Sequence, residues 1–340
     1  MFYLVALPLG LIFSLLLTPL ARGIAIKYSF LDVPDGKRYH RMAVPLLGGV
    51  AVIASVVVTW LITHLINGLP IEVAEVFLVL GLFLSFALGI YDDKNGMKAR
   101  WKLSGQFVCG LILVTGCYVG GWMEAWFLFP LLVVWVVAIM NATNFLDNMD
   151  GIASGVTGFA CLAFVLLLAL HRQWVGVIIA GATCGASIGF LKFNFSPAKI
   201  FLGDAGSLPM GYLLSALSIM TAGSASFHAV VAPLIVLGYP MFDIAFVTIV
   251  RIKENRRFYQ GGKDHSSHRL AALSLSPRKT ALLIYMFCVI LGGMALLVDS
   301  LHDAAFSFSV LAMLFVCFLF IGLRLVRVES NAPPQELATK

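Results

Sequence analysis

Residues 141–151, which read NATNFLDNMDG, combine side chains that suit metal and phosphate chemistry. They follow an apolar run, Phe127 to Met140, that is long enough to reach into a bilayer. If a helix continues through them, four residues share one face at i, i+3, i+4 and i+7: Asn144, Asp147, Asn148 and Gly151. Asp147 and Asp150 are three residues apart, so both carboxylates can point at one site.

These acids need a partner if they lie at a membrane edge. A charged Asp costs about 2.5–3.5 kcal/mol at the centre of a membrane helix. Only 12% of the residues in this chain are charged. The concentration of acids next to an apolar run therefore indicates a site for a cation, or for a polar substrate that brings one.

The pair Asp92 and Asp93 also ends an apolar run, and Lys94 follows it directly. Adjacent carboxylates repel each other unless a cation compensates. Neighbouring helical residues point about 100° apart, so one Asp can face a metal or nucleophile while the other pairs with a lysine. The structural alternative is an exposed loop whose charges cancel. Lys102 directly precedes the next apolar run, beside the interfacial Trp101.

A later loop, residues 192–207, brings polar, basic, aromatic and acidic groups together: Asn194, Lys199, Phe201, Asp204 and Ser207. Gly203 and Gly206 bracket Asp204 and let the backbone come close to a ligand. The structural alternative for Asp204 is an N-cap of the helix that follows.

The last polar groups are Asp243 and the segment KDHSSHR, residues 263–269. Asp243 lies in an apolar run that Pro233 and Pro240 should bend, and a structural ion pair or a catalytic role are both open for it. His265, His268 and Arg269 suit phosphate handling or general acid catalysis, and the structural alternative is a solvated loop. Zinc is disfavoured because no cysteine accompanies the histidines. A basic cluster in the first polar loop, at residues 37–41, suits either a membrane anchor or phosphate binding.

The composition requires a membrane protein. The chain has 340 residues, of which 60% are hydrophobic, and its mean hydropathy is +0.96. We predict an all-α polytopic protein with about eleven transmembrane helices. The runs are 2–21, 46–66, 71–90, 103–122, 126–143, 154–170, 174–191, 207–222, 228–250, 280–299 and 304–323. They form one predicted domain, residues 1–325, followed by a polar tail, 326–340.

The basic residues predict the orientation. Of the 23 Lys and Arg residues, all but Arg172 fall in loops on one side of these eleven runs. By the positive-inside rule the amino terminus is outside, and the carboxyl terminus and all the acidic motifs are cytoplasmic. The positive charge is a membrane feature, so no nucleic acid is needed to explain it. The six cysteines all fall inside apolar runs, where we interpret them as packing residues.

Five segments in this order resemble the polyprenyl-phosphate N-acetylhexosamine-1-phosphate transferases: DVPDGKRYHRMAVPLLGG, YDDK, NATNFLDNMDG, FNFSPAKIFLGDAGS and HSSHR. The resemblance covers nearly the whole chain. It implies that Asp204 and Asp93 contact Mg²⁺, and that the Asp92–Asp93 pair orients or deprotonates the acceptor phosphate. It places Asn144, Asp147 and Asp150 near metal and nucleotide, and Phe201 on the uracil. Lys102, Asn194 and Lys199 are weaker correspondences.

The implied reaction moves a sugar-1-phosphate, N-acetylglucosamine-1-phosphate first among the candidates, from a UDP-sugar to undecaprenyl phosphate with release of UMP. Mg²⁺ is the implied cofactor, with Mn²⁺ as a substitute. The resemblance further implies a bacterial inner-membrane enzyme of cell-envelope polysaccharide synthesis, such as O-antigen of lipopolysaccharide, and allows a homodimer. Phospho-N-acetylmuramoyl-pentapeptide transfer is the alternative, although that branch usually carries three consecutive histidines. The alternative from another class is a transporter or flippase.

Overall fold

The computed structural model describes residues 2–32, 43–223, 227–257 and 262–328. These residues form thirteen α-helices: α1 Ala6–Lys27, α2 Gly48–Asn67, α3 Val73–Asn95, α4 Ala99–Val119, α5 Phe129–Leu146, α6 Ile152–Leu170, α7 Trp174–Asn194, α8 Asp204–Thr221, α9 Phe227–Val236, α10 Gly238–Lys253, α11 Ser266–Ala272, α12 Pro277–Leu301 and α13 Ala304–Val326. Two short strands, β1 (Leu31–Asp32) and β2 (Val44–Pro45), pair antiparallel with Leu31 opposite Pro45. The predicted all-α class is confirmed.

Nine helices in the described part of the chain are long and apolar enough to cross a membrane, or ten if α9 and α10 form one bent span. Each of the eleven predicted runs corresponds to one long helix, with α9 and α10 together matching the ninth. Of the helices that match the predicted runs one to one, α8 is the one that is not apolar enough to count as a candidate span. The number of spans and their orientation stay predictions.

Helix α8 is less apolar because protein surrounds it. Every residue from Ala205 to Thr221 is buried, and α8 packs against α3, α5, α2 and α6. A Cβ atom at Gly89 of α3 would lie 2.2 Å from the carbonyl oxygen of Asp204, so only glycine permits this approach. A helix shielded from lipid on all sides can carry serines that bond to its own carbonyls. The close approach of α3 and the packing on all sides hold α8 on the central axis of the bundle, with Asp204 at one end of it.

The predicted bend in the ninth run is confirmed as a break. Helix α9 ends at Val236, α10 starts at Gly238, and their axes differ by 65°. Pro240 is the third residue of α10, where a missing backbone N–H breaks no helical hydrogen bond. The break therefore lies between the two prolines, and it turns Asp243 inward, where it is fully buried.

The helix that could have continued through residues 141–151 does not form. Helix α5 ends at Leu146, and a turn leads to Gly151, which has φ +80° and precedes α6. Asn148 donates its side-chain amide to the Phe145 carbonyl at 2.6 Å, which gives the backbone an alternative to the helical bond. Asp147 and its neighbours are consequently presented by a turn and do not share a helix face.

The polar motifs meet at one end of the bundle. Direct hydrogen bonds join the carboxyl end of α3 to the start of α8, the start of α4 to the end of α5, and α11 to the α5–α6 turn. The six cysteines are free, and all but Cys317 are buried. These hydrogen bonds agree with the sequence prediction, in which the loops that carry the polar motifs all lie on one side of the apolar runs.

Candidate active site

Four aspartates from distant parts of the chain converge at this end of the bundle. Asp92 and Asp93 lie in the last turn of α3, Asp147 follows α5, and Asp204 begins α8. We call these four residues the acidic cluster. Lys102, from the first turn of α4, lies among them.

The ammonium group of Lys102 holds three segments together. Its Nζ lies 2.9 Å from Asp92 Oδ2, donates to Asn144 Oδ1 at 3.2 Å, and forms a hydrogen-bonded ion pair with Asp204 Oδ2. The other Asp204 oxygen, Oδ1, accepts from the Asn144 amide at 2.6 Å. A single lysine thus bridges two carboxylates whose negative charges would otherwise repel each other.

Asp93, and not Asp204, caps helix α8. The Asp93 carboxylate accepts from the backbone N–H of Asp204 at 2.9 Å and from that of Ala205 at 2.9 Å. A carboxylate at a helix amino terminus is stabilised by the exposed N–H groups and the helix dipole. The N-cap interpretation of Asp204 is therefore wrong. Its side chain is turned to Lys102 and Asn144.

Asp147 and Asp150 both hold the loop that precedes α8. Asp147 Oδ2 accepts from the Gly203 N–H at 3.1 Å, and Asp150 Oδ2 accepts from the Ala198 N–H at 2.9 Å. Burial, and after it the negative charges of Asp204 and Asp93, raise the pKa of Asp147 to about 8. Of the two acids in this motif, Asp147 is the one in the acidic cluster.

Asn194 lies behind this loop. It is buried, its Oδ1 accepts from Gly151 N at 3.1 Å and Ser154 Oγ at 2.8 Å, and its Nδ2 donates to the Ile200 carbonyl at 3.0 Å. The amide therefore fixes the loop to the start of α6. A nucleotide contact by this side chain stays a prediction.

Phe201 and Lys199 lie nearer the surface of the same loop. The Phe201 backbone pairs with Pro45 and Gly48 on the β2 side, and Lys199 is exposed with its carbonyl bonded to Arg22. Their proposed contacts with the nucleotide stay predictions. The basic cluster at residues 37–41 lies outside the described residues.

The segment from Lys263 to Arg269, which we call the histidine loop, is folded against α10. His265 Nδ1 lies 2.9 Å from Asp243 Oδ2, and the Ser266 N–H donates to Asp243 Oδ1 at 2.8 Å. His265 is the N-cap of α11 and His268 is in its first turn, with ring centroids 6.0 Å apart. Burial, with the nearby charge of His265, lowers the pKa of His268 to about 4, so this ring is neutral at pH 7.

The arginines of the histidine-loop region have protein partners. Arg269 Nη1 donates to the carbonyls of Leu325, Val326 and Val328 at the end of α13, which is a favourable place for a cation. Asp264 accepts from the buried Arg251 at 2.9 and 3.0 Å. Burial alone would raise the pKa of Asp264, but the Arg251 hydrogen bonds and charge outweigh it and lower the pKa to about 2.

Two contacts join the histidine loop to the turn that carries Asp147. Ser267 Oγ donates to Asn148 Oδ1 at 2.7 Å, and the His265 ring meets the edge of Phe145 with centroids 5.6 Å apart. Ser267 was not predicted as a site residue, and its only sequence signal is its place between two histidines. The turn thus places the histidine loop beside the acidic cluster.

The donor set suits a hard divalent cation only in part. Within the described ranges, no three His, Cys, Asp or Glu side chains are arranged to hold a metal ion. Carboxylate oxygens are nevertheless what Mg²⁺ prefers, and it commonly takes one or two carboxylates together with substrate phosphates. Asp92 and Asp204, already bridged by a cationic ammonium group, fit such a substrate-completed site. Among the residues that the structure describes, His265 and His268 are not accompanied by the further ligands that zinc requires.

Comparisons with known proteins match the part of the chain that contains the acidic cluster. The profile of glycosyl transferase family 4 matches residues 75–222, which contain the whole acidic cluster. A probable undecaprenyl-phosphate N-acetylglucosaminyl 1-phosphate transferase of Bacillus subtilis is 33% identical over 93% of this chain and 88% of its own length.

Two more distant relatives cover less of the chain. A decaprenyl-phosphate N-acetylglucosaminephosphotransferase of Mycolicibacterium smegmatis is 29% identical over 78% of this chain and 74% of its own. A phospho-N-acetylmuramoyl-pentapeptide-transferase of Desulforudis audaxviator is 32% identical, over 55% of this chain and 66% of its own. The chain therefore belongs to glycosyl transferase family 4, among the polyprenyl-phosphate N-acetylhexosamine-1-phosphate transferases.

Proposed function

We propose that this protein transfers N-acetylglucosamine-1-phosphate from UDP-N-acetylglucosamine to undecaprenyl phosphate and releases UMP. The observation that carries the proposal is the convergence of four aspartates around Lys102 at one end of a membrane bundle. The relative that covers 93% of the chain carries the name of this activity. The pentapeptide transferase covers only 55%, which favours the simpler sugar.

The reaction is a phosphoryl transfer. An oxygen of the lipid phosphate attacks the sugar-linked phosphorus of the UDP-sugar, the bond from that phosphorus to the bridging oxygen breaks, and UMP leaves with that oxygen. The acceptor is already an oxyanion, so catalysis requires positioning and charge neutralisation more than covalent help. Lys102 supplies one positive charge, and Asn144 fixes the Asp204 carboxylate next to it.

Mg²⁺ is the cofactor we propose, with Mn²⁺ as a substitute. Asp204 and Asp92 would hold it, and the substrate phosphates would complete its coordination. When bound, the metal neutralises the charge of the diphosphate. Asp93 keeps the first residues of α8 in place, so its role toward the metal is through the position of Asp204.

The histidine loop lies where it can contact the anionic substrates. His265 adjoins Phe145, two residues before Asp147, and is the side chain of the loop that we assign to phosphate. We infer that Arg269 acts by anchoring α11 to the end of α13, since its Nη1 donates to three backbone carbonyls there. Phe201 and Lys199 remain our candidates for the uridine.

We place the site on the cytoplasmic face of a bacterial inner membrane, because UDP-sugars are cytoplasmic and the basic residues favour that side. The lipid acceptor would approach beside the bent pair α9–α10. The polymer made downstream, including O-antigen, and a homodimer are further expectations. Transport is disfavoured, because the four aspartates of the acidic cluster lie at helix ends, with Asp243 in the bent pair α9–α10 as the deep exception.

Release of UMP from the purified protein tests the proposal. The protein is incubated with polyprenyl phosphate, Mg²⁺ and UDP-N-acetylglucosamine labelled on both phosphates. We expect UMP in solution, one donor phosphorus in the lipid, and reversal by excess UMP. Release of UDP with no donor phosphorus in the lipid would contradict it. A panel of UDP-sugars then identifies the preferred N-acetylhexosamine.

A further inference from the structure

Asp243 is a buried carboxylate outside the acidic cluster, and the proposed reaction does not use it. We propose that Asp243 is a positioning residue that orients the His265 ring for phosphoryl transfer, an inference that rests on the proposed function. Asp243 belongs to α10 and is fully buried, whereas His265 belongs to the histidine loop 22 positions later. Contact between them is therefore a tertiary feature.

Both oxygens of Asp243 are directed at the histidine loop. Oδ2 lies 2.9 Å from His265 Nδ1, while Oδ1 accepts from the Ser266 N–H at 2.8 Å and from Ser266 Oγ at 2.5 Å. The Tyr239 hydroxyl lies 3.1 Å from Ser266 Oγ and so fixes the serine as well. The carboxylate has little freedom to rotate, and it fixes which nitrogen of His265 faces the interior.

The His265 ring is restrained on its other sides by aromatic neighbours. The rings of Phe145 and His268 each form a T-shaped pair with it, with centroids 5.6 and 6.0 Å away. Because Nδ1 faces Asp243, Nε2 is the ring nitrogen left to contact a substrate phosphate or to transfer a proton. A neighbouring carboxylate holds an imidazole in one tautomer and stabilises the charge that develops on it.

A charged side chain at this depth is more than a helix cap requires. The bond to the Ser266 N–H also caps α11, and a neutral asparagine can accept that bond about as well. A buried carboxylate carries a desolvation cost that a neutral cap would avoid. The contact that benefits from the negative charge is the one to His265.

A double-mutant cycle separates positioning from capping. Asp243→Asn, His265→Gln and the combined variant are purified and assayed for kcat and for KM of both substrates. We expect Asp243→Asn to lower kcat by about a hundredfold with KM little changed, since the ring is misoriented but the binding groups remain. The combined variant should be no slower than His265→Gln, because Asp243 acts only through that ring.

Ser266→Ala is the matched control. It removes a hydroxyl bonded to the same carboxylate but leaves the contact to His265, so its kcat should stay within about threefold of wild type. The proposal would be overturned if the kcat loss of the combined variant were the product of the two single losses. It would also be overturned if a fall in thermal stability accounted for the loss of activity in Asp243→Asn.

A spectroscopic measurement covers the case in which Asp243→Asn does not fold. In the wild-type protein, ¹⁵N NMR of labelled histidine should show His265 with a proton on Nδ1, bonded to a carboxylate. A neutral ring protonated only on Nε2 would overturn the assignment. This readout is independent of turnover, so absence of UMP release by wild type would refute the proposed function and leave the pair itself testable.

Discussion

The acidic cluster and the histidine loop lie side by side but balance their charges differently. In the cluster, Lys102 is the cation in contact with two of four aspartates, and the pKa of Asp147 is raised to about 8 by burial and by neighbouring acids. In the loop, Asp264 pairs with both Arg251 and Arg256, and its pKa is lowered to about 2.

The difference separates a binding site from its support. Excess negative charge is a free-energy cost in the empty protein, and a cation or cationic complex removes it on binding. Matched pairs leave little for a ligand to neutralise, but they hold the loop in place. Substitutions in the cluster should therefore reduce activity more than stability, and substitutions in the paired charges should do the reverse.

The largest effect is expected for Asp204→Asn. The change keeps the shape of the side chain but removes the charge that faces Lys102, so turnover should fall by about a thousandfold. Stability should hold or rise, because repulsion with Asp92 and Asp93 is relieved. UMP release and thermal unfolding in detergent measure the two. Asp303→Asn, at the exposed cap of α13, is the control. Turnover within threefold of wild type would remove Asp204 from the reaction.

Asp264→Asn should show the opposite behaviour. Removing this charge breaks the buried ion pair between Asp264 and Arg251, which we expect to destabilise the protein by about 3 kcal/mol. The folded fraction should retain most of its kcat. Chemical unfolding and specific activity measure the two effects. Glu254→Gln, an exposed partner of Arg256, should change stability by less than about 1 kcal/mol. A large fall in the kcat of the folded protein with little loss of stability would contradict the contrast between the two regions.

His268 should make stability depend on pH. Burial lowers its pKa from the ordinary histidine value of 6.5 to about 4 in the folded protein, so the unfolded chain binds more protons between these values. Stability is therefore lost as pH falls below about 6.5. For His268→Gln that loss should be absent, so the stability of the wild type relative to the variant should fall by on the order of 2 kcal/mol from pH 8 to pH 5. Unfolding curves at both pH values measure it, and parallel pH dependence would contradict the prediction.

The smallest effect sharpens the role of Lys102. In Lys102→Met the ammonium no longer bridges Asp92 and Asp204, so Mn²⁺ should bind the protein without nucleotide about tenfold more tightly. Turnover should fall, because the charge is also lost to the substrate phosphates. Mn²⁺ electron paramagnetic resonance gives the affinity directly. Lys98→Met, at the exposed start of α4, is the matched control. Unchanged or weaker Mn²⁺ binding would show that lysine and metal do not share these oxygens.

The amino-acid sequence by itself predicted the class of protein and the members of the cluster. Long apolar runs have few stable arrangements in lipid other than helices, so the fold class followed from composition. Charged side chains are costly within a membrane, so Asp92, Asp93, Asp147 and Asp204, which adjoin apolar runs, stood out as candidate site residues. The ordered motifs were specific enough to indicate the family, which the relatives confirm.

The tertiary structure decided which partner each polar group takes. Periodicity allowed a helix through Asp147, but the turn prevails because Asn148 and Gly151 have bonding partners outside it. The local sequence also allowed Asp204 to cap its own helix, but Asp93, which is 111 positions away, caps that helix. Local patterns describe which faces are polar, whereas pairing over such separations depends on how helices pack. That packing, through close approaches such as Gly89 on Asp204, makes one cluster from four segments of the chain.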